Sequence, residues 1–183
     1  MINLRSSTML RLRDRLKEAG ARPSIVVSST DDVLAKVGLL PPEEQAAVRS
    51  IGPVVEMMFL MMAADGAVGE DERTVIRGAV RELSENYVRS STLDVMLEGY
   101  QANLASQGQA DRLKHVAETL GDDVPGAESA FVLAAAVAFA DEDVHDSEND
   151  LLNRFAELAG ISEERANELL DELERDWHAE AAS

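Results

Sequence analysis

Cysteine is absent from the 183 residues of this chain. Its absence excludes disulfide bonds, a thiol nucleophile and zinc–thiolate sites. Without a thiol to supply electrons, direct reduction of an oxyanion by this chain is also disfavoured. Aromatic residues make up only 4%. Because alanine, leucine, glutamate, arginine and methionine are plentiful instead, the composition favours helices over sheets.

Long apolar runs are absent as well. No stretch reaches the 18 residues of a membrane-spanning helix, and the basic start lacks the uninterrupted apolar segment of a signal peptide. With 45% hydrophobic and 28% charged residues, the composition is that of a globular chain long enough to bury one core. We therefore expect a cytoplasmic protein.

Basic residues are scarce: 17 lysines and arginines stand against 35 acids, a net charge of −18. Residues 1–30 hold six basic and two acidic residues, a net charge of +4, so the remainder carries −22. Nucleic acid, which needs a basic face, is excluded as a general partner. Divalent cations or basic proteins suit this charge better. The basic N-terminal helix could lie on the inner face of a membrane, or fold back onto the acidic body.

Hydrophobic periodicity predicts a single all-α bundle of about eight or nine helices. "MLRLRDRLKEAG" places three apolar residues on one stripe among arginines, and "STDDVLAKVGLL" is a short capped helix. Another helix begins at "PPEEQAAVRS", with prolines in its first turn. "PVVEMMFLMMAAD" and "SAFVLAAAVAFAD" are apolar nearly all round, which predicts two central, buried helices whose methionines fill the core.

These patterns divide the chain into three parts. Residues 1–49 form a basic N-terminal segment with a helix, a linker and short helices. Residues 50–177 form the main helical domain, which contains an internal helix–loop–helix repeat. Residues 178–183 are a tail.

The repeat is the most informative feature of the sequence. "MMAADGAVGEDE" (61–72) and "VAFADEDVHDSE" (137–148) both place an aspartate, a valine three residues later and a glutamate seven residues later. Each copy predicts an apolar helix, then a tight turn with a valine whose side chain is buried in the core, and then a new helix. The matched pairs are Asp65 with Asp141, Val68 with Val144, and Glu72 with Glu148.

The two glutamates and the two aspartates need different explanations. Glu72 and Glu148 fall at the third helical position, where an acid caps the helix by accepting an amide hydrogen bond from the N-cap. Asp65 and Asp141 end an apolar helix, where the macrodipole disfavours a carboxylate by about 0.3–1 kcal/mol. Each aspartate therefore needs a partner, which is either the amides of its own turn or a cation.

The spacing of the loops does not fit the familiar helical metal sites. In an EF-hand starting at Asp141, Asp143 would fit position 3, but His145 is unusual at position 5 and Asp146 replaces the glycine. The Glu-x-x-His pairs of di-iron bundles are also absent. What remains is an oxygen-rich site shared by the two copies and suited to Ca²⁺, Mg²⁺ or Mn²⁺. Asp143, His145 and Asp146 would be secondary ligands.

The segments "LMMAADGAVGEDE" and "AVAFADEDVHDSE", each joining an apolar helix to an amphipathic one, resemble the TerB-like family of tellurite-resistance and stress-associated proteins. The resemblance covers residues 50–177. It implies an all-helical fold and an acidic cluster proposed to bind metal, which by position would be Asp65, Glu72, Asp141 and Glu148. The second copy departs from the pattern at Glu142, where glycine is usual.

We therefore expect a non-enzymatic TerB-like module that binds a divalent cation through these loops. The alternative is an acidic helical scaffold that docks a basic protein, with loops that are purely structural. A metal-dependent hydrolase is a weaker third hypothesis, since no substrate is indicated. Other proteins, including a membrane-associated complex, are the expected partners.

Overall fold

Eight α-helices account for most of the residues that the computed structural model describes, namely 6–18, 40–64, 66, 68–140 and 146–181. No strand occurs within these ranges, and the all-α prediction is confirmed. The predicted short helix "STDDVLAKVGLL" lies outside them except for its last residue. In chain order the helices are α1 (Ser6–Glu18), α2 (Pro42–Met62), α3 (Glu70–Leu83), α4 (Ser90–Gln107), α5 (Gln109–Leu120), α6 (Val124–Ala140), α7 (Asp146–Leu158) and α8 (Glu163–Ala181).

Helix α2 is longer than the sequence indicates. Its first residue is Pro42, as the proline pattern predicts, but it continues through Pro53 to Met62. The prediction of two helices here was wrong. A proline inside a helix removes one backbone hydrogen bond and costs about 3 kcal/mol. The helix persists because nearly every side chain from residue 51 onward is buried, and each fully buried apolar side chain contributes about 1.5–3 kcal/mol.

Helices α2 and α6 form the centre of the bundle. They pack on each other more extensively than any other pair of helices in the described part of the chain. The prediction that both are buried is confirmed, and the methionines of α2 are between 0 and 4% exposed. Helices α3, α4, α5 and α7 pack against α2, while α5, α7 and α8 pack against α6.

Helix α1 folds back onto this body. It contacts α3, α6 and α8, and its stripe of Met9, Leu12 and Leu16 is at most 8% exposed. These side chains belong to the same hydrophobic core as the central helices. None of the helices is long and apolar enough, over the residues described, to cross a membrane.

Candidate functional site

The first repeated loop connects α2 to α3. After Met62 the chain leaves the helix through a turn in which the amide of Gly66 donates to the carbonyl oxygen of Ala63 at 3.3 Å. Val68 is 7% exposed and belongs to the core, so the prediction that its side chain is buried is confirmed. Asp65 lies outside the described residues.

Glu72 occupies the predicted third position of α3, whose N-cap is Gly69. The backbone amide of Gly69 donates to Oε2 of Glu72, so the predicted capping interaction is present. Because glycine has no side chain, only the acidic half of a capping box exists here. Glu70 and Asp71 place two further acids in this first turn, where the helix dipole favours negative charge.

The second loop connects α6 to α7. Asp141, Asp143, Val144 and His145 lie outside the described residues. Asp146, the first residue of α7, is exposed.

Glu148 is the third residue of α7, at the position that matches Glu72 in α3. Only 9% of Glu148 is exposed, whereas Ser147 and Asn149 beside it are exposed. Glu148 also has an interaction partner within the protein. The fold therefore turns this carboxylate inward at the end of α7 that follows the second loop.

The two loops leave the C-terminal ends of α2 and α6, the helix pair at the centre of the bundle. Within the ranges that the structure describes, no three or more histidine, aspartate or glutamate side chains are grouped so that they could hold a metal ion. Asp65 and Asp141 are not among these residues. The metal-binding roles of the four acids therefore stay a prediction.

A buried ion pair between α2 and α5 was missed at the sequence level. Nε and Nη2 of Arg112 donate to Oε1 of Glu56 at 2.8 and 2.6 Å. Nη1 of Arg112 donates to Oε1 of Gln107 at 3.1 Å. The side chains of Arg112 and Glu56 are 2% and 5% exposed. Glu56 interrupts an otherwise apolar run, which could have signalled that it is buried and needs a cation.

This pair affects the titration of groups around it. Burial raises the pKa of Glu56 although Arg112 opposes the shift. Burial also raises the pKa of Tyr100, with a further contribution from the charge of Glu56, and the Tyr100 hydroxyl donates to the carbonyl oxygen of Gly52 at 3.0 Å. Burial and the charge of Arg112 lower the pKa of His115. The cluster joins α2, α4 and α5 through polar contacts inside the core.

Glu44 is another acid with a structural role. From the first turn of α2 it accepts hydrogen bonds from the amide and Nε of Arg89, at 3.0 and 2.8 Å, and from the hydroxyl of Thr92 at 2.5 Å. Burial would raise the pKa of Glu44, but these hydrogen bonds outweigh it and lower the pKa. Glu44 thus caps the N-terminus of α4 from a different helix.

Glu128 of α6 makes a third such contact. It accepts two hydrogen bonds from Arg165 of α8, at 2.7 and 2.8 Å, and Arg15 of α1 lies 3.6 Å away. The hydrogen bonds from Arg165 hold the pKa of Glu128 below its ordinary value. These acids serve the packing of helices and lie outside the repeated loops.

Comparison with known proteins assigns the chain to a family. The family model described as "Tellurite resistance protein TerB" matches residues 53–171. The match runs from the middle of α2 into α8 and includes both repeated loops. No curated protein and no solved structure matches the chain. Because the model covers more than half of the sequence and the fold is all-helical, the chain belongs to the TerB family.

Proposed function

We propose that this TerB-family module binds a divalent cation, either Ca²⁺, Mg²⁺ or Mn²⁺, through Asp65, Glu72, Asp141 and Glu148. The observation that carries the proposal is the inward position of Glu148, at 9% exposure, in register with Glu72. Both glutamates are the third residues of the helices that follow the two repeated loops, at the ends of α2 and α6, the helix pair at the centre of the bundle. Oxygen ligands of this kind suit hard cations.

The capping role of Glu72 is compatible with cation binding. Its hydrogen bond from Gly69 uses Oε2, and a carboxylate has about four lone-pair sites on its two oxygens. A cation held by Oε1 would leave the cap in place. Asp143, His145 and Asp146 would add ligands or adjust the charge of the second loop.

The proposed module is not an enzyme. It binds its ion and other proteins in the cytoplasm, with placement at the inner face of the membrane through a membrane-associated complex as a further hypothesis. A metal-dependent hydrolase is the weaker alternative, in which the four carboxylates would hold a metal-bound water.

Calorimetric titration with Ca²⁺, Mg²⁺ and Mn²⁺ tests the cation proposal. We expect binding to the wild-type chain and a rise in its thermal midpoint, because a ligand of the native state adds about 2.7 kcal/mol of stability at 100 times its Kd. Asp65→Asn/Asp141→Asn should lose both effects. Asp111→Asn/Asp171→Asn removes the same charge from two exposed positions outside the loops and should keep them. Absence of heat and of any midpoint shift at millimolar ion would refute the proposal.

The second candidate is an acidic scaffold that docks a basic protein. It is favoured by the charge of −22 carried by residues 31–183, which attracts basic surfaces and accelerates their association. Such docking needs no cation, so the titration above does not test it.

A further inference from the structure

Helix α1 lies in a groove between α3, α6 and α8. Met9, Leu12 and Leu16 fill the floor of this groove and are 4%, 0% and 8% exposed. A helix of 13 residues is marginal in water by itself. The helical form of α1 therefore depends on the apolar contacts that the groove provides.

The walls of the groove are acidic. Arg11 lies 2.9 Å from Asp176 and Arg15 lies 2.9 Å from Glu172, both on α8. Two further ion pairs join Arg13 to Glu82 at 3.0 Å and Lys17 to Glu85 at 2.5 Å. Every basic residue of α1 thus faces an acid of the body. We call the surface lined by Glu82, Glu85, Glu128, Glu172 and Asp176 the acidic groove.

The fit of α1 in the acidic groove is incomplete. Among the described residues, buried side-chain atoms without a hydrogen bond include the hydroxyl of Thr8 and Nε and Nη2 of Arg11, all on α1. A buried polar atom without a hydrogen bond destabilises the contact in which it lies. The contact between α1 and the body is therefore less well satisfied than the rest of the core.

Helix α1 also lies outside the family domain. The match to the family begins at residue 53, whereas α3, α6 and the first half of α8 fall within it. Residues 19–41 connect α1 to the start of α2. Glu82, Glu85 and Glu128 lie within the match, whereas Glu172 and Asp176 follow its last residue on the same helix. The N-terminal segment provides a basic helix that occupies the groove.

We propose that the acidic groove is a docking site for a basic amphipathic helix of a partner protein, and that α1 is its intramolecular occupant. The partner helix would carry apolar side chains with the 3- and 4-residue spacing of Met9, Leu12 and Leu16 and arginines on both sides of that stripe. An anionic membrane or a nucleic acid would be repelled by the five carboxylates of the groove. The proposal rests on docking of a basic partner, the second candidate function, and does not depend on cation binding.

The test uses the full chain and a fluorescently labelled peptide of residues 1–18 as the probe. In Arg11→Glu/Arg15→Glu, the two reversed charges face Asp176 and Glu172, so α1 should leave the groove. We expect this variant to bind the peptide at least about tenfold more tightly than the wild type, in which the tethered α1 competes at high effective concentration. Fluorescence anisotropy would measure the affinity, which should fall as salt screens the ion pairs.

A matched pair of changes on α8 locates the peptide. Added to Arg11→Glu/Arg15→Glu, Glu172→Lys should abolish binding. Glu174→Lys introduces the same charge on the same helix at an exposed position and should leave binding intact. If the double reversal does not fold by circular dichroism, Leu12→Ala loosens α1 without adding charge and should also increase peptide binding over the wild type.

Four results would overturn the proposal. One is absence of peptide binding to a folded variant whose α1 is displaced. Another is peptide binding that Glu172→Lys does not weaken. That result would place the binding of basic helices on a different face of the protein and would not contradict the second candidate function. Sedimentation of the wild-type chain with anionic lipid vesicles through α1 would assign this helix to a membrane. A dimer formed by exchange of α1 would assign the groove to a second copy of the chain.

Discussion

The buried pair of Glu56 and Arg112 gives a test of how charge is held in this core. We consider Glu56→Met, Arg112→Met and the double variant, since methionine is unbranched and fills irregular space. Removing one partner of a buried ion pair typically costs about 3–5 kcal/mol because the other charge remains uncompensated. That loss is large against a total stability of about 5–15 kcal/mol. It corresponds to a fall of roughly 6–20 °C in Tm for a chain of this size.

The double variant should behave differently from either single one. Burial raises the pKa of Glu56 even with Arg112 beside it, so the interior disfavours this charge. Replacing both charges by apolar groups should therefore be neutral within about 1 kcal/mol, or stabilising. Urea unfolding at pH 7, followed by circular dichroism, would give all three values as a double-mutant cycle.

The two single variants should also differ from each other. In Glu56→Met the guanidinium of Arg112 cannot lose its proton. In Arg112→Met, Glu56 can become neutral by taking up a proton. A carboxyl group whose folded-state pKa is raised loses stability as pH rises from its unfolded pKa through the folded one. Arg112→Met should therefore approach the wild type at pH 5 and be less stable at pH 8.

A matched surface pair controls for loss of an ion pair as such. Glu157 lies 2.8 Å from Arg154, and their side chains are 69% and 62% exposed. Glu157→Met should cost less than about 1 kcal/mol. Glu56 and Arg112 would not behave as a buried ion pair if Glu56→Met cost no more than Glu157→Met, or if the double variant lost the sum of the two single changes.

Three other acids give further predictions. Glu72→Gln should lose at most about 1 kcal/mol of stability, because its amide oxygen can still accept a hydrogen bond from Gly69. Glu72→Ala should lose up to about 2 kcal/mol. Equal losses of the two variants in chemical denaturation would contradict the capping role. Glu128→Gln should cost about 1.5–3 kcal/mol at pH 7. Arg165 holds the pKa of Glu128 below 4.5, so this difference should vanish as pH falls through that pKa, and a pH-independent difference in urea unfolding would argue against it. Glu44→Ala should accelerate hydrogen exchange in the first turn of α4, and unchanged exchange there would exclude its capping role.

Much of the repeated loop could be predicted because its geometry is local. The start of α3 and the capping contact of Glu72 depend on residues within one helical turn. Hydrophobic periodicity likewise predicted the central positions of α2 and α6. The continuity of α2 through Pro53 could not be predicted, because burial by other helices offsets the local cost of proline.

The sequence by itself determined the helical class, the two apolar helices and the repeated loops with matched glutamates, because helix periodicity and capping are short-range properties. Only the tertiary structure decided which charges meet. Glu56 pairs with Arg112 across 56 positions, and Arg15 pairs with Glu172 across 157. Such partners depend on how helices pack, so a lone acid in an apolar run reveals only that it needs a partner. The sequence left two hypotheses for α1, which were binding to a membrane and folding back onto the acidic body. Only the tertiary structure shows α1 packed on the body.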